Sequence, residues 1–231
     1  MKKIFWALVM IFLAAPVLAL EVSSTPEEIN SIQTRVDKIG TDILNRNKIT
    51  KRIVFAYDEA EKSKFRLMDK AITHRQIILY SGTYRFIQSD DELAAALSRD
   101  IALAIKSYSG MWGGKIDSLQ VALSPKKFET VSDKRAVDFM VNAGYNPLAL
   151  IVFINKTCPQ RKGDFISKHN LTSKRLARIY EYITYKYPQY LENNEYLNNM
   201  YYQNFLLTSI HNRKKLQEKV KNHWSGDLRY E

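Results

Sequence analysis

The stretch 89–107, SDDELAAALSRDIALAIKS, constrains this chain more than any other, because it carries a complete helix signature. Ser89 or Asp90 is a suitable N-cap, and the acidic residues Asp91 and Glu92 favour the positive end of a helix. Apolar residues then recur at helical spacing, namely Leu93, Leu97, Ile101, Ala104 and Ile105. The pattern predicts a helix that packs one apolar stripe against a core.

The opposite face of the same helix carries Arg99 and Leu103, four positions apart. At about 100° per residue the two side chains lie together, opposite Leu97. Metalloproteases place two zinc-binding histidines at this spacing on such a helix. A guanidinium stays protonated and a leucine has no donor atom, so this pair is unsuited to binding zinc. Taken singly, Arg99 is also compatible with a solvated charge on a polar helix face.

The segment DDELAAALSRDIALAI, residues 90–105, resembles the catalytic helix of the HtpX-like and BepA-like gluzincin endopeptidases, peptidase family M forty-eight. In that family a DELAA-type start is followed by His-Glu-x-x-His. The resemblance puts Arg99 at the first histidine position, Asp100 at the catalytic glutamate position and Leu103 at the second histidine position.

Two further motifs of the family follow in order, and the similarity covers about residues 36–183. An ExxxD motif is matched by Glu129 and Asp133, and a His-Pro-x-x-x-x-Arg-Ile motif is matched from His169 to Arg175, with asparagine in place of the proline. The resemblance implies that Glu129 stands at the third-ligand position and that His169 lies in a loop near the metal. It implies structural roles for Asp133 and Arg175.

With both histidines replaced, only Glu129 remains of the ligand triad that the resemblance implies. Asp100 keeps a carboxylate, but one methylene shorter than glutamate. We therefore expect a pseudoenzyme without a cofactor, in which a direct ion pair between Arg99 and Glu129 occupies the zinc position. The alternative is an active zinc endopeptidase with unusual ligands, and in that case zinc is the cofactor.

A second strand is predicted over RQIILY, residues 75–80, after a first strand near residues 52–57. In the resembled family, the edge strand before the catalytic helix binds the substrate backbone by strand addition. In this chain the resemblance gives that role to Gln76, Ile77, Ile78, Leu79 and Tyr80. The implied partner is an extended protein or peptide segment.

Strands are few and early while helical patterns dominate, so we expect an α+β fold, mainly α. The resemblance makes it a zincin-like helical domain with a small early sheet. We divide the chain into a signal peptide at 1–19, a metallopeptidase-like domain at 20–187, and a basic helical extension at 188–231 that packs on the same domain.

The first residues have the parts of an export signal. Lys2 and Lys3 precede an apolar run at 4–15, and Ala19 ends a small-residue cleavage site. Cleavage after Ala19 predicts a periplasmic or secreted protein with no transmembrane span, whereas an uncleaved membrane anchor is the alternative. Cys158 is the only cysteine, so no internal disulfide is expected.

The chain is basic, with 35 Lys and Arg residues against 24 Asp and Glu residues. Such a balance favours contact with anionic lipid headgroups or cell-wall polymers, although it also serves solubility alone. No nucleic-acid-binding module is recognisable. Three functions therefore remain open: a non-catalytic binder of extended segments in envelope assembly or quality control, a zinc endopeptidase, and a basic binder of an anionic envelope surface.

Overall fold

The computed structural model describes residues 25–60, 75–107, 125–158 and 172–230. Its elements in chain order are α1 (Pro26–Arg46), β1 (Val54–Asp58), β2 (Gln76–Tyr80), α2 (Ser81–Tyr84), α3 (Asp90–Ser107), α4 (Pro125–Asn142), α5 (Leu148–Thr157), α6 (Thr172–Lys186), α7 (Gln189–Glu192), α8 (Met200–Thr208) and α9 (Ile210–Lys221). Helices dominate and the described residues form one small sheet, so the predicted α+β, mainly α class is confirmed.

The sheet consists of β1 and β2, which pair in parallel with Val54 opposite Gln76 and Asp58 opposite Tyr80. The strand predicted at 75–80 forms one residue shorter, as Gln76–Tyr80. Helix α1 covers the sheet closely, because a Cβ added at Gly40 would lie 2.6 Å from the ring of Phe55. Strand β1 packs beside α1, and strand β2 packs beside the central helix α3.

Helix α3 is surrounded by α1, α4, α5 and β2. The expectation of a single apolar stripe is wrong, because every residue from Glu92 to Ala104 except Asp100 is buried. Small side chains on the other faces let neighbouring helices approach, namely Ala94, Ala95, Ala96 and Ala102. Arg99 is only 2% exposed, so its interpretation as a solvated surface charge is also wrong.

The turn between α4 and α5 fixes the most apolar helix of the core. Gly144 adopts a φ of 86°, which favours glycine, and ends α4. Asn146 then caps α5, since its Oδ1 accepts a hydrogen bond from the amide of Leu148 at 3.0 Å. The Asn146 amide itself donates to Asp91 Oδ1 at 3.0 Å, which joins this turn to the start of α3.

The C-terminal helices pack on α5 and α6. Tyr202 and Phe205 of α8 are buried in the hydrophobic core, and Asn155 of α5 donates to the carbonyl of Tyr201 at 2.7 Å. Tyr196 donates to Asp91 Oδ2 at 3.1 Å, so the extension also contacts the start of α3. In the part of the chain that the structure describes, no helix combines the length and apolarity needed to cross a bilayer. The predicted signal peptide lies outside the described residues.

Candidate functional site

The start of α3 is fixed by a cap and by a buried ion pair. Ser89 is the N-cap, because its Oγ accepts a hydrogen bond from the Glu92 amide at 3.2 Å. The Glu92 carboxylate accepts from Lys156 Nζ of α5 at 2.8 and 2.9 Å, and both side chains are 2% exposed. Lys156 also donates to Gln88 Oε1 at 2.7 Å. This pair locks α3 against α5 about two helical turns before Arg99.

The residues singled out by the sequence motifs meet in one buried cluster, which we call the ion network: Arg99 of α3, Glu129 and Asp133 of α4, and Arg175 of α6. Each is 4% exposed or less. Arg175 donates two hydrogen bonds to Asp133, from Nε at 2.5 Å and from Nη2 at 2.6 Å. Arg175 Nη1 lies 3.4 Å from Glu129 Oε1, and Arg99 Nε lies 3.5 Å from Asp133 Oδ1.

The described contacts form a chain in which Arg99 lies beside Asp133 and Arg175 lies beside Glu129, and the expected direct pair between Arg99 and Glu129 stays a prediction. Glu129 and Asp133 lie one turn apart on α4, and Arg175 reaches both of them. Arg99 meets the second carboxylate, that of Asp133, and its Nη1 lies 4.0 Å from Asp100 Oδ1. The sequence motifs gave the four positions but not the contact of Asp133 with Arg99, which depends on how α3 and α4 pack.

The balance of charge keeps Arg175 protonated. Burial lowers the pKa of its guanidinium, but the attraction of Asp133 and the hydrogen bonds to it outweigh burial and raise the pKa above its ordinary value. Two guanidinium groups and two carboxylates make the ion network neutral overall when all four are charged. Loss of any one member therefore leaves an uncompensated charge among buried side chains.

A small recess separates α3 from β2. Its walls include Ile78, Leu79, Tyr80, Ala96, Arg99 and Asp100. The volume is about 20 Å³, which is room for about one water molecule. The strand that the family resemblance implicates in substrate binding thus borders the positions of the first histidine and the catalytic glutamate. The recess is too small for a substrate side chain, so a peptide can only lie along its rim.

One edge of β2 faces away from β1. The Val54 amide donates to the Arg75 carbonyl at 2.9 Å, so Arg75, Ile77 and Leu79 turn their peptide groups toward β1. The alternate residue Ile78 turns its N–H and C=O to the outer edge. Within the described residues these two groups have no hydrogen-bond partner. An extended segment can add to this edge.

The residues present do not fit the zinc centre that the resemblance implies. Arg99 brings a permanent cation to one ligand position, and Leu103, 4% exposed, brings a hydrocarbon to the other. Glu129 is in contact with Arg175. Among residues 25–60, 75–107, 125–158 and 172–230, no group of three His, Cys, Asp or Glu side chains could hold a metal ion. His169 lies outside the described residues.

Sequence reasoning missed Lys156 as a partner of Glu92. The available signal was the spacing of Ser89 and Glu92, which is that of a capping box and places a glutamate at the helix start. Nothing in the sequence shows that a lysine 64 residues away neutralises this carboxylate. The contact depends on how α3 and α5 cross, so it could be found only from the structure.

The ion network generates a prediction for Asp133→Asn, which keeps the side-chain shape and removes the charge. Arg99 and Arg175 would then share a single carboxylate in a buried site. We expect the free energy of unfolding to fall by about 3–5 kcal/mol, measured by urea denaturation.

The matched control is Asp37→Asn, the same substitution on the exposed face of α1. It should change the free energy of unfolding by no more than about 0.5 kcal/mol. A cost for Asp133→Asn within about 1 kcal/mol of this control would show that the ion network is energetically unimportant.

Comparison with protein-family models, with curated proteins and with solved structures gives no match. The resemblance to the gluzincin endopeptidases therefore rests on the order and spacing of the motifs at residues 90–105, 129–133 and 169–175.

Proposed function

We propose that this chain is an exported, zincin-like domain without hydrolytic activity, which binds an extended protein segment along β2 in envelope assembly or quality control. One observation carries the proposal: Arg99, at the first histidine position of the resembled motif, is buried and lies 3.5 Å from Asp133. An ordered, charge-balanced arginine at that position supports a structural use of the former ligand positions.

The charges of the ion network disfavour zinc binding beside Arg99. The ion network already balances its charges, and a divalent cation next to the Arg99 guanidinium would be repelled in a region of low dielectric. Leu103 offers no ligand atom to offset that repulsion. Glu129 would have to leave Arg175, 3.4 Å away, before its carboxylate could bind a metal. These residues favour the non-catalytic function over a zinc endopeptidase with unusual ligands.

The open edge of β2 supports the binding function. Backbone hydrogen bonds to an added strand are largely independent of the partner's sequence, whereas pockets for alternate side chains give selectivity. Ile78 presents its outward peptide groups beside the recess that Arg99 and Asp100 border. A bound segment would therefore run past the former catalytic positions without meeting a metal-activated water.

The first prediction concerns zinc. We expect the purified protein to contain no stoichiometric zinc by elemental analysis. The triple variant Arg99→His, Asp100→Glu, Leu103→His should bind one zinc ion per chain in calorimetric titration, because it restores both histidines beside Glu129.

The control adds Glu129→Gln to the triple variant and should lose zinc binding, because the third ligand is then missing. A folded triple variant that binds no zinc would refute the placement of Glu129. One tightly held zinc in the unaltered protein would support the endopeptidase function instead.

The second prediction concerns strand addition. Proline has no N–H, and at Ile78 it would remove a donor from the outer edge of β2 without removing a β1–β2 hydrogen bond. We expect the unaltered protein to bind dephosphorylated casein, a largely unfolded model protein, without cleaving it. Ile78→Pro should weaken that binding at least about 10-fold in fluorescence anisotropy.

Ile78→Val keeps the N–H and serves as the control, so its affinity for casein should match that of the unaltered protein. Circular dichroism confirms that both variants are folded. Equal affinities for Ile78→Pro and Ile78→Val would exclude strand addition at this edge, and cleavage of casein by the unaltered protein would contradict the non-catalytic function.

A further inference from the structure

A basic groove lies between the first half of α4, the first turns of α6, and residues 227–230. Its volume is about 700 Å³. Six cationic side chains line it, namely Lys126, Lys127, Lys134, Lys174, Arg178 and Arg229, whereas Asp227 is the one acidic residue in its lining as described. On α4 the groove is lined by Thr130 and Lys134, each of which follows directly a buried acidic residue of the ion network.

Three lysines of the groove lie in the first turns of α4 and α6, where the helix dipole disfavours positive charge. The amino-terminal end of a helix carries a partial positive charge, and acidic residues usually occupy its first turn. Neither α4 nor α6 has an acidic residue there, and Lys126, Lys127 and Lys174 lie in those turns instead. Lysines therefore lie at two helix ends whose own dipoles also favour an anion.

The fold holds the groove walls in place. Arg178 Nη1 donates to Thr130 Oγ1 at 3.0 Å, which joins α6 to α4 across the groove floor. Tyr230 is 6% exposed, and its burial anchors the chain end that brings Arg229 to the rim. Lys127 and Lys134 are exposed. The helices that carry the cations are thus held in place before any ligand arrives, which reduces the ordering cost of binding.

We propose that this groove binds a ligand that carries two or more phosphate groups. Its volume falls in the range of small-molecule sites and exceeds the need of a single phosphate. Phosphate is dense in charge and in acceptor oxygens, and Lys and Arg side chains are its usual donors. The phosphates come either from a soluble compound or from an anionic phospholipid headgroup. The site is independent of strand addition at β2.

The test uses two probes and one double variant. Binding of inorganic tripolyphosphate is measured by calorimetry, and binding of vesicles that contain cardiolipin, whose headgroup carries two phosphates, is measured by co-sedimentation, with phosphatidylcholine vesicles as the neutral reference. Lys127→Gln with Lys134→Gln should weaken binding about 25-fold, from roughly five-fold per lysine. Binding should also weaken as salt rises.

The matched control is Lys38→Gln with Lys214→Gln, which removes the same charge from exposed positions on α1 and α9. It should change either affinity less than about two-fold. Arg229→Gln is a second groove variant, at the chain end, in case the double variant does not fold.

Binding of tripolyphosphate alone assigns the phosphates to a soluble ligand, and binding of the anionic vesicles alone assigns them to lipid. Either result supports the proposal when the groove variants lose affinity and the control does not. Absence of binding to both probes, or equal losses in the groove variants and the control, would overturn it.

Discussion

The buried contact of Asp133 with two arginines is the interaction on which the rest of the structure depends. Arg175 reaches this carboxylate from α6 and Arg99 reaches it from α3, so one side chain of α4 joins three helices. The same three helices also contribute residues to the hydrophobic core. Removing one member of a buried ion pair is costly, so loss of a single member of the ion network should weaken the packing of these three helices.

The ion network does for this chain what a structural metal does elsewhere: it crosslinks helices from the inside. The difference lies in chemistry. A zinc site with an open position activates water, whereas guanidinium–carboxylate contacts have no Lewis-acid centre and fix geometry alone. Beside the ion network the structure presents the outer edge of β2 and a small recess.

The sequence predicted the fold class, the strand before α3 and the helix α3 itself, because these depend on local spacing and capping. The motif order also named Asp133 and Arg175, which the structure joins by two hydrogen bonds. The motif order could not predict that Arg99 contacts Asp133, since that contact depends on how α3 and α4 pack. The basic groove could not be predicted from the sequence either, because its walls come from segments about 100 residues apart, such as those of Lys127 and Arg229.

The central claim is that Arg99 is bound into the ion network. A double-mutant cycle on Arg99→Ala and Asp133→Ala measures this most directly, through the free energies of unfolding of the two single variants and the double variant. The account predicts a coupling energy of at least about 1 kcal/mol, since removing the second partner costs less once the first is gone. Additive effects, within about 0.3 kcal/mol, would contradict it.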